Sequence, residues 1–330
     1  MIYRVLVPVL LAMLLSACAT RDGVDETPVQ ADSTLGTFCD RLPRPEFAAL
    51  DKHSASDDWF EVYEVRPGTF AIYEPWQWQE VISWLILGDT RALLFDTGNG
   101  IADIRRVVDR LTDLPLTVTN SHSHADHVGG NYAFAEILST MEDFAITRSQ
   151  GLPYEAVADE VSPQALCRGL PDGYEASAHR LRPYPLSERV YDGARIDLGG
   201  RVLEVIAIPG HTPDSIALFE RASGYLWTGD TFYMGPIWLY APETDFDAYR
   251  ESIARLAALA PTLSALFPAH NTPEADPVVL EQALAGFDAM RAGDIEAELA
   301  WPGTVTYPVG DFSFREKKFF SSYHKEKRHR

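Results

Sequence analysis

Two spacings of apolar positions organise the middle of the chain. Residues 60–65, Phe-Glu-Val-Tyr-Glu-Val, and the stretch at 70–73 alternate with period two, as half-buried strands do. A denser apolar run covers 81–87, Gly88-Asp89-Thr90 turns the chain, and a further run covers 92–95. More strands are expected at 116–119, 189–196, 201–208, 216–220, 225–228 and 263–267, with Ser223-Gly224 as a hairpin turn. Helical spacing links Ile101, Ile104, Val107, Val108 and Leu111, and predicts helices over 131–138, 246–259 and 277–290 as well. The order gives two halves, each of strands and then a helix. This predicts an α/β fold, an αββα four-layer sandwich of two mixed β-sheets with outer helices.

Outside that region the pattern fades. Residues 18–57 are mostly Arg, Asp, Gly, Thr, Pro and Ser and read as a tether to a domain spanning 58–300. Residues 150–185 have no clear period and read as an insertion with short helical pieces, and 301–330 as a C-terminal tail. The first 17 residues carry Arg4, an apolar run too short to span a bilayer, and small residues before Cys18, the layout of a secretory signal. Leu15-Ser16-Ala17-Cys18 resembles a bacterial lipobox. That resemblance implies cleavage before Cys18, lipidation of its thiol and a membrane partner, with the protein on the periplasmic face. In that pattern, Ala19 rather than Asp after the Cys implies sorting to the outer membrane. Cys39 and Cys167 remain; an oxidising compartment permits a disulfide, but their spacing does not decide it.

The 330 residues are 46% hydrophobic and 23% charged, as in a globular protein. The net charge is −20 although Arg315, Lys317, Lys318, Lys325, Lys327, Arg328 and Arg330 crowd the C-terminal end. So acidic a body repels phosphate backbones, which argues against a nucleic-acid partner. Nothing in the pattern sets an oligomeric state.

The chemistry gathers at His122-Ser123-His124-Ala125-Asp126-His127, which holds three of the nine histidines. His211 follows Pro209-Gly210, Asp230 follows Gly229, and His270 follows Pro268-Ala269, each just past an expected strand. Imidazole and carboxylate are zinc ligands, and Gly and Pro suit tight turns at sheet edges. Seven ligand-type residues in four strand-end settings point to a metal site. There is no Gly-x-Ser-x-Gly elbow to suggest a serine hydrolase.

With Phe95-Asp96-Thr97-Gly98, Gly-His-Thr-Pro-Asp-Ser and Thr-Gly-Asp, the His-x-His-x-Asp-His motif resembles the metallo-β-lactamase superfamily over residues 59–290. The resemblance implies two zinc ions, or iron or manganese in their place. His122, His124 and His211 would hold the first ion, Asp126, His127 and His270 the second, with Asp230 bridging and Asp96 orienting the ligands. It also implies hydrolysis of a carbonyl by a metal-bridging hydroxide that Asp126 helps to hold. Tyr233 sits where similar lactonases place a donating phenol. Trp76 and Trp78 are candidates to grip an acyl group, with Phe232, Ile237, Trp238 and Tyr240 as an opposite wall, unless these aromatics are core. Asp230 favours ester, lactone or thioester substrates over β-lactams, and residues 229–249 resemble the acyl-CoA thioesterase-like branch. No basic cluster near Tyr233 suggests a clamp for glutathione. The expected partner is a small-molecule acyl substrate. β-Lactam hydrolysis, or a non-catalytic zinc-holding binding lipoprotein, are the alternatives.

Overall fold

The computed structural model of the chain describes residues 36–300 and 303–317. The expected signal, Cys18 and the basic end from Lys318 onward lie outside these. Seven strands form the first sheet in sequence order: β1 (Glu61–Arg66), β2 (Thr69–Tyr73), β3 (Ile82–Leu87), β4 (Ala92–Phe95), β5 (Leu116–Thr119), β6 (Ile137–Ser139) and β7 (Glu188–Arg189). The second sheet holds β8 (Arg195–Asp197), β9 (Val202–Ala207), β10 (Ile216–Glu220), β11 (Tyr225–Gly229) and, beyond β12 (Pro236–Trp238), β13 (Ala265–Pro268). It is ordered β13-β11-β10-β9-β8. The helices are α1 (Gly36–Cys39), α2 (Pro45–Ala48), α3 (Ile104–Leu111), α4 (Ala125–Val128), α5 (Asp143–Ser149), α6 (Phe246–Leu259) and α7 (Val279–Ala292).

Three buried cores define the layers. Tyr73, Trp84 and Phe95 of the first sheet meet Leu218, Trp227 and Phe267 of the second. On the outer face of the first sheet, Ile72, Leu85 and Leu94 pack on Ile104, Val107 and Val108 of α3. Outside the second sheet, Phe219 and Leu266 pack on Ile253 of α6 and Phe287 of α7. β2, β4 and β10 are buried at every position because both of their faces are covered. This is the αββα arrangement expected.

Four expectations fail. The tether reading does not hold for 36–57: Phe47 stacks on Tyr73 with centroids 4.0 Å apart and is 1% exposed, and Cys39 is disulfide-bonded to Cys167. One apolar ring in a polar stretch suffices when the sheet offers Tyr63 and Tyr73 to receive it. Residues 131–138 form not a helix but a 3-10 turn (Asn131–Ala133) and then β6. The Asn131 amide accepts from Thr97 Oγ1 at 2.8 Å and donates to Asn120 at 2.9 Å, side-chain bonding that competes with helix. The strand expected at 189–196 splits into β7 and β8, which lie in different sheets, with Gly193 at φ +80° in the turn between them. Finally, the boundary at 300 cuts through a third sheet, in which β12, β16 (Phe312–Lys317), β15 (Thr304–Val309) and β14 (Glu298–Leu299) lie side by side. Phe312 and Phe314 of this hairpin are part of the core under α7. The insertion does consist of short 3-10 turns, between Tyr154–Ala156 and Ala176–Ala178. No helix of the described residues is long and apolar enough to cross a membrane.

Candidate metal centre

Four chain segments converge beyond the strand ends. The loop after β5 carries His122 and His124, and α4 adds Asp126 and His127. His211 follows β9, Asp230 follows β11 and His270 follows β13. Two glycines permit the approach. A Cβ on Gly229 (φ +51°) would lie 2.6 Å from Ser121 Cβ, and one on Gly210 (φ +139°) would lie 2.3 Å from the Tyr249 backbone.

The ligand atoms fall into overlapping groups: His122, His124 and His211; His122, His127 and Asp230; and Asp126, His127 and His270. His124 Nδ1 stands 2.9 Å from His122 Nε2 and 3.0 Å from His211 Nε2. His127 Nε2 lies 3.1 Å from Asp126 Oδ2 and 3.2 Å from His270 Nε2. Asp230 sits between the groups, Oδ1 2.9 Å from His270 Nε2 and Oδ2 3.6 Å from His211 Nε2. These separations are near the roughly 3.4 Å edge of a tetrahedron of ligands around a cation bound at about 2.1 Å.

Each imidazole has a partner behind it. His211 Nδ1 donates to Trp238 O at 2.9 Å, and His270 Nδ1 to Gln79 O at 2.7 Å. His127 Nδ1 meets Asp96 Oδ2 at 3.0 Å, His124 Nε2 meets Glu243 Oε1 at 2.9 Å, and His122 Nδ1 meets Ser121 Oγ at 3.0 Å. A proton held by the backing acceptor leaves a lone pair on the inward nitrogen. His124 and His211 therefore point two lone pairs at each other across 3.0 Å, an arrangement that calls for a cation between them. Asp230 Oδ1, buried without a hydrogen-bond partner, calls for the same. Burial holds His122 well below the usual histidine range and takes His211 down to about 4, so both stay neutral, as ligands must. Burial also opposes charge on His127, but Asp126, Asp230 and Asp96 outweigh it and raise this ring well above the ordinary value. The residues fit metal.

Asp96 stands behind His127 as expected, and its other oxygen accepts from Ser121 N–H at 2.7 Å. Glu243 was not foreseen; it lies in an irregular segment with no pattern, and only the fold carries it to His124. Asp214, inside the Gly-His-Thr-Pro-Asp-Ser motif, likewise has a role that spacing did not reveal: it accepts from Thr212 Oγ1 at 2.6 Å and Ser123 Oγ at 2.5 Å and ties the two ligand loops together.

The cluster opens into a cavity of about 960 Å³. Trp78, Trp238 and Tyr240 line it, with Trp78 and Trp238 ring centroids 5.3 Å apart. Trp76 does not; it packs on the outer core of the first sheet with the Arg168 guanidinium 4.0 Å above its ring. Phe232 and Ile237 are fully buried core: Ile237 faces away from its β12 neighbours Pro236 and Trp238, and Phe232, in the bend before that strand, packs on Phe312 at 5.3 Å. Tyr233 reaches the cavity and packs on His270 at 4.8 Å, and its hydroxyl donates to Pro236 O at 2.7 Å.

Residues 77–297 match the family model described as the metallo-beta-lactamase superfamily. The chain is 30% identical over 214 residues to the acyl-coenzyme A thioesterase MBLAC2 of Gallus gallus, covering 61% of this chain and 76% of that protein. It is 28% identical over 191 residues to a hydroxyacylglutathione hydrolase of Aeromonas salmonicida, covering 57% of this chain and 60% of that protein. Among solved structures, a beta-lactamase domain protein from Burkholderia ambifaria shares the fold, with TM-score 0.53 and 21% identity over 75% of this chain and 80% of that one. With the convergent histidines and carboxylates behind it, this chain belongs to the metallo-beta-lactamase superfamily, among its hydrolases.

Proposed function

We propose that the chain hydrolyses the acyl carbonyl of a small thioester, ester or lactone with two zinc ions, His122, His124 and His211 holding one and Asp126, His127 and His270 the other. The observation that carries this reading is the Asp230 carboxylate, one oxygen toward each group of ligands, beside a cavity with an aromatic wall. Such a pair of cations supplies a polarised carbonyl and a water acidic enough to ionise near neutral pH. Asp126 accepts a hydrogen bond from the attacking water and orients it. Trp78, Trp238 and Tyr240 hold the acyl group and exclude bulk water. Tyr233 turns its phenol to the substrate by giving up Pro236 O, so Tyr233→Phe should lower kcat well beyond any change in metal content, and equal activity would remove the role.

The relatives named for thioester chemistry support the acyl class. The Cys39–Cys167 disulfide supports an oxidising compartment, in keeping with a lipid-anchored protein on the periplasmic face. The test is a panel of thioesters, esters, lactones and a cephalosporin, run with zinc, with chelator and after zinc is restored. Acyl hydrolysis that follows the metal supports the proposal. Turnover of the cephalosporin alone makes the enzyme a β-lactamase, and no turnover at all leaves a zinc-holding binding protein.

A further inference from the structure

The C-terminal hairpin brings two residues to the cavity that the superfamily match, ending at residue 297, does not reach: Asp311, exposed in the turn before β16, and Arg315 on the strand itself. β16 pairs in parallel with β12, placing Arg315 opposite Trp238, and Leu239 N–H donates to Arg315 O at 2.8 Å. Trp238 is the residue whose carbonyl orients His211. Its ring carries the Arg315 guanidinium at 4.7 Å. A single pair of residues thus fixes a metal-ligating histidine and sets a cation on the aromatic wall.

That cation is poorly compensated. Among the described residues no carboxylate pairs with Arg315, and its buried Nε has no hydrogen-bond partner. Burial lowers its pKa from the ordinary value, opposed only by Tyr233 and Tyr240. The other arginines on the cavity differ. Arg44 is bonded to Glu80 and Asn271, Arg148 lies 3.6 Å from Glu243, and Arg41 is exposed at the mouth. A partly desolvated guanidinium without an anion costs stability, and proteins hold such groups where a ligand supplies the missing charge. Glu160, which also lines the cavity, is engaged by Gln77 Nε2 at 2.7 Å rather than by Arg315. Lys317, two residues along the same face of β16, lies 5.8 Å over Tyr240 and extends the positive track outward.

We propose that Arg315 is the specificity-determining residue for substrates that carry an anionic group, a carboxylate or a phosphate, on the part remote from the scissile carbonyl. The guanidinium takes the anion through its fork of N–H donors, and the Trp238 and Tyr240 rings hold the apolar stem between anion and carbonyl. This rests on the hydrolase reading and deepens it by naming the substrate's charge.

The test separates the two. Non-hydrolysable thioethers of one acyl chain, ending in a carboxylate, a phosphate or a neutral amide, are titrated calorimetrically into the zinc-loaded full chain and its Arg315→Gln and Arg315→Lys variants. Wild type is expected to prefer an anionic probe over its neutral twin by roughly tenfold or more. Arg315→Gln loses that preference and Arg315→Lys keeps part of it. The better of the two anionic probes identifies carboxylate or phosphate. Equal binding of anionic and neutral probes by wild type, or an anionic preference that survives in Arg315→Gln, overturns the proposal. Because the readout is binding, a failure of turnover in the substrate panel counts against the hydrolase reading alone.

Discussion

Removing the Cys39–Cys167 bridge tests whether the N-terminal segment is part of the fold or hangs from it. The cysteines are 128 residues apart in sequence, so the bridge closes β1 to β6 of the first sheet and the first half of the insertion into one loop. Loop-closure entropy for such a loop gives about 5 kcal/mol at 25 °C, an upper value, since native disulfides measure about 2–5 kcal/mol. For a domain of this size each kcal/mol moves the melting temperature by roughly 2 °C, so a fall of roughly 4–10 °C is expected. The assay is thermal melting of wild type and the Cys39→Ser/Cys167→Ser double variant at fixed zinc, with and without reductant. Reductant should bring wild type down to the variant and leave the variant unmoved. Phe38 and Arg41 line the cavity one residue before and two after Cys39, so KM should rise with little change in kcat. Melting curves that agree within about 1 °C would refute the reasoning, because a segment held only by the sheet contacts of Phe47 would not notice the loss.

Glu243→Ala leaves His124 without the acceptor behind its Nε2 and should weaken metal retention roughly 10- to 100-fold by chelator competition; unchanged retention would show that His124 is aimed by its loop alone. Glu74, buried beside Trp59 Nε1 and Asn99 N–H, has its carboxyl pushed by burial from 4.5 up to about 7. Its protonated form is the one the fold favours, so its contribution is full below pH 4.5 and is lost as pH rises through about 7. Urea midpoints of Glu74→Gln should therefore gain on wild type across that interval, and parallel profiles would sink the assignment. Trp78→Ala should raise KM several-fold while Trp76→Ala leaves KM alone and costs roughly 1–3 kcal/mol of stability by denaturation; the reverse pattern would mean that Trp76 is the cavity residue.

The ligands were legible in the sequence because metal chemistry admits few side chains and the turns that present them need Gly or Pro. His122, His124, Asp126, His127, His211, Asp230 and His270 all announced themselves in this way, and the tertiary structure brings all seven together. The strands β5 and β10 fall where expected, short β-rich segments between turns that are buried on consecutive positions. Asn131 to Leu138 misled because a helical apolar spacing says nothing of the Asn120 and Thr97 side chains that capture Asn131.

What only the tertiary structure decided lies in the partners. Trp76 and Trp78 are two residues apart in one loop, yet one takes a guanidinium on the outside and the other lines the cavity. Glu243 and Arg315 carry no local pattern that marks them, and their roles come from what the fold sets opposite them, His124 and Trp238. A ligand type is a property of one residue and survives in the sequence, whereas charge compensation, burial and a cavity wall belong to pairs of residues that only folding brings into contact.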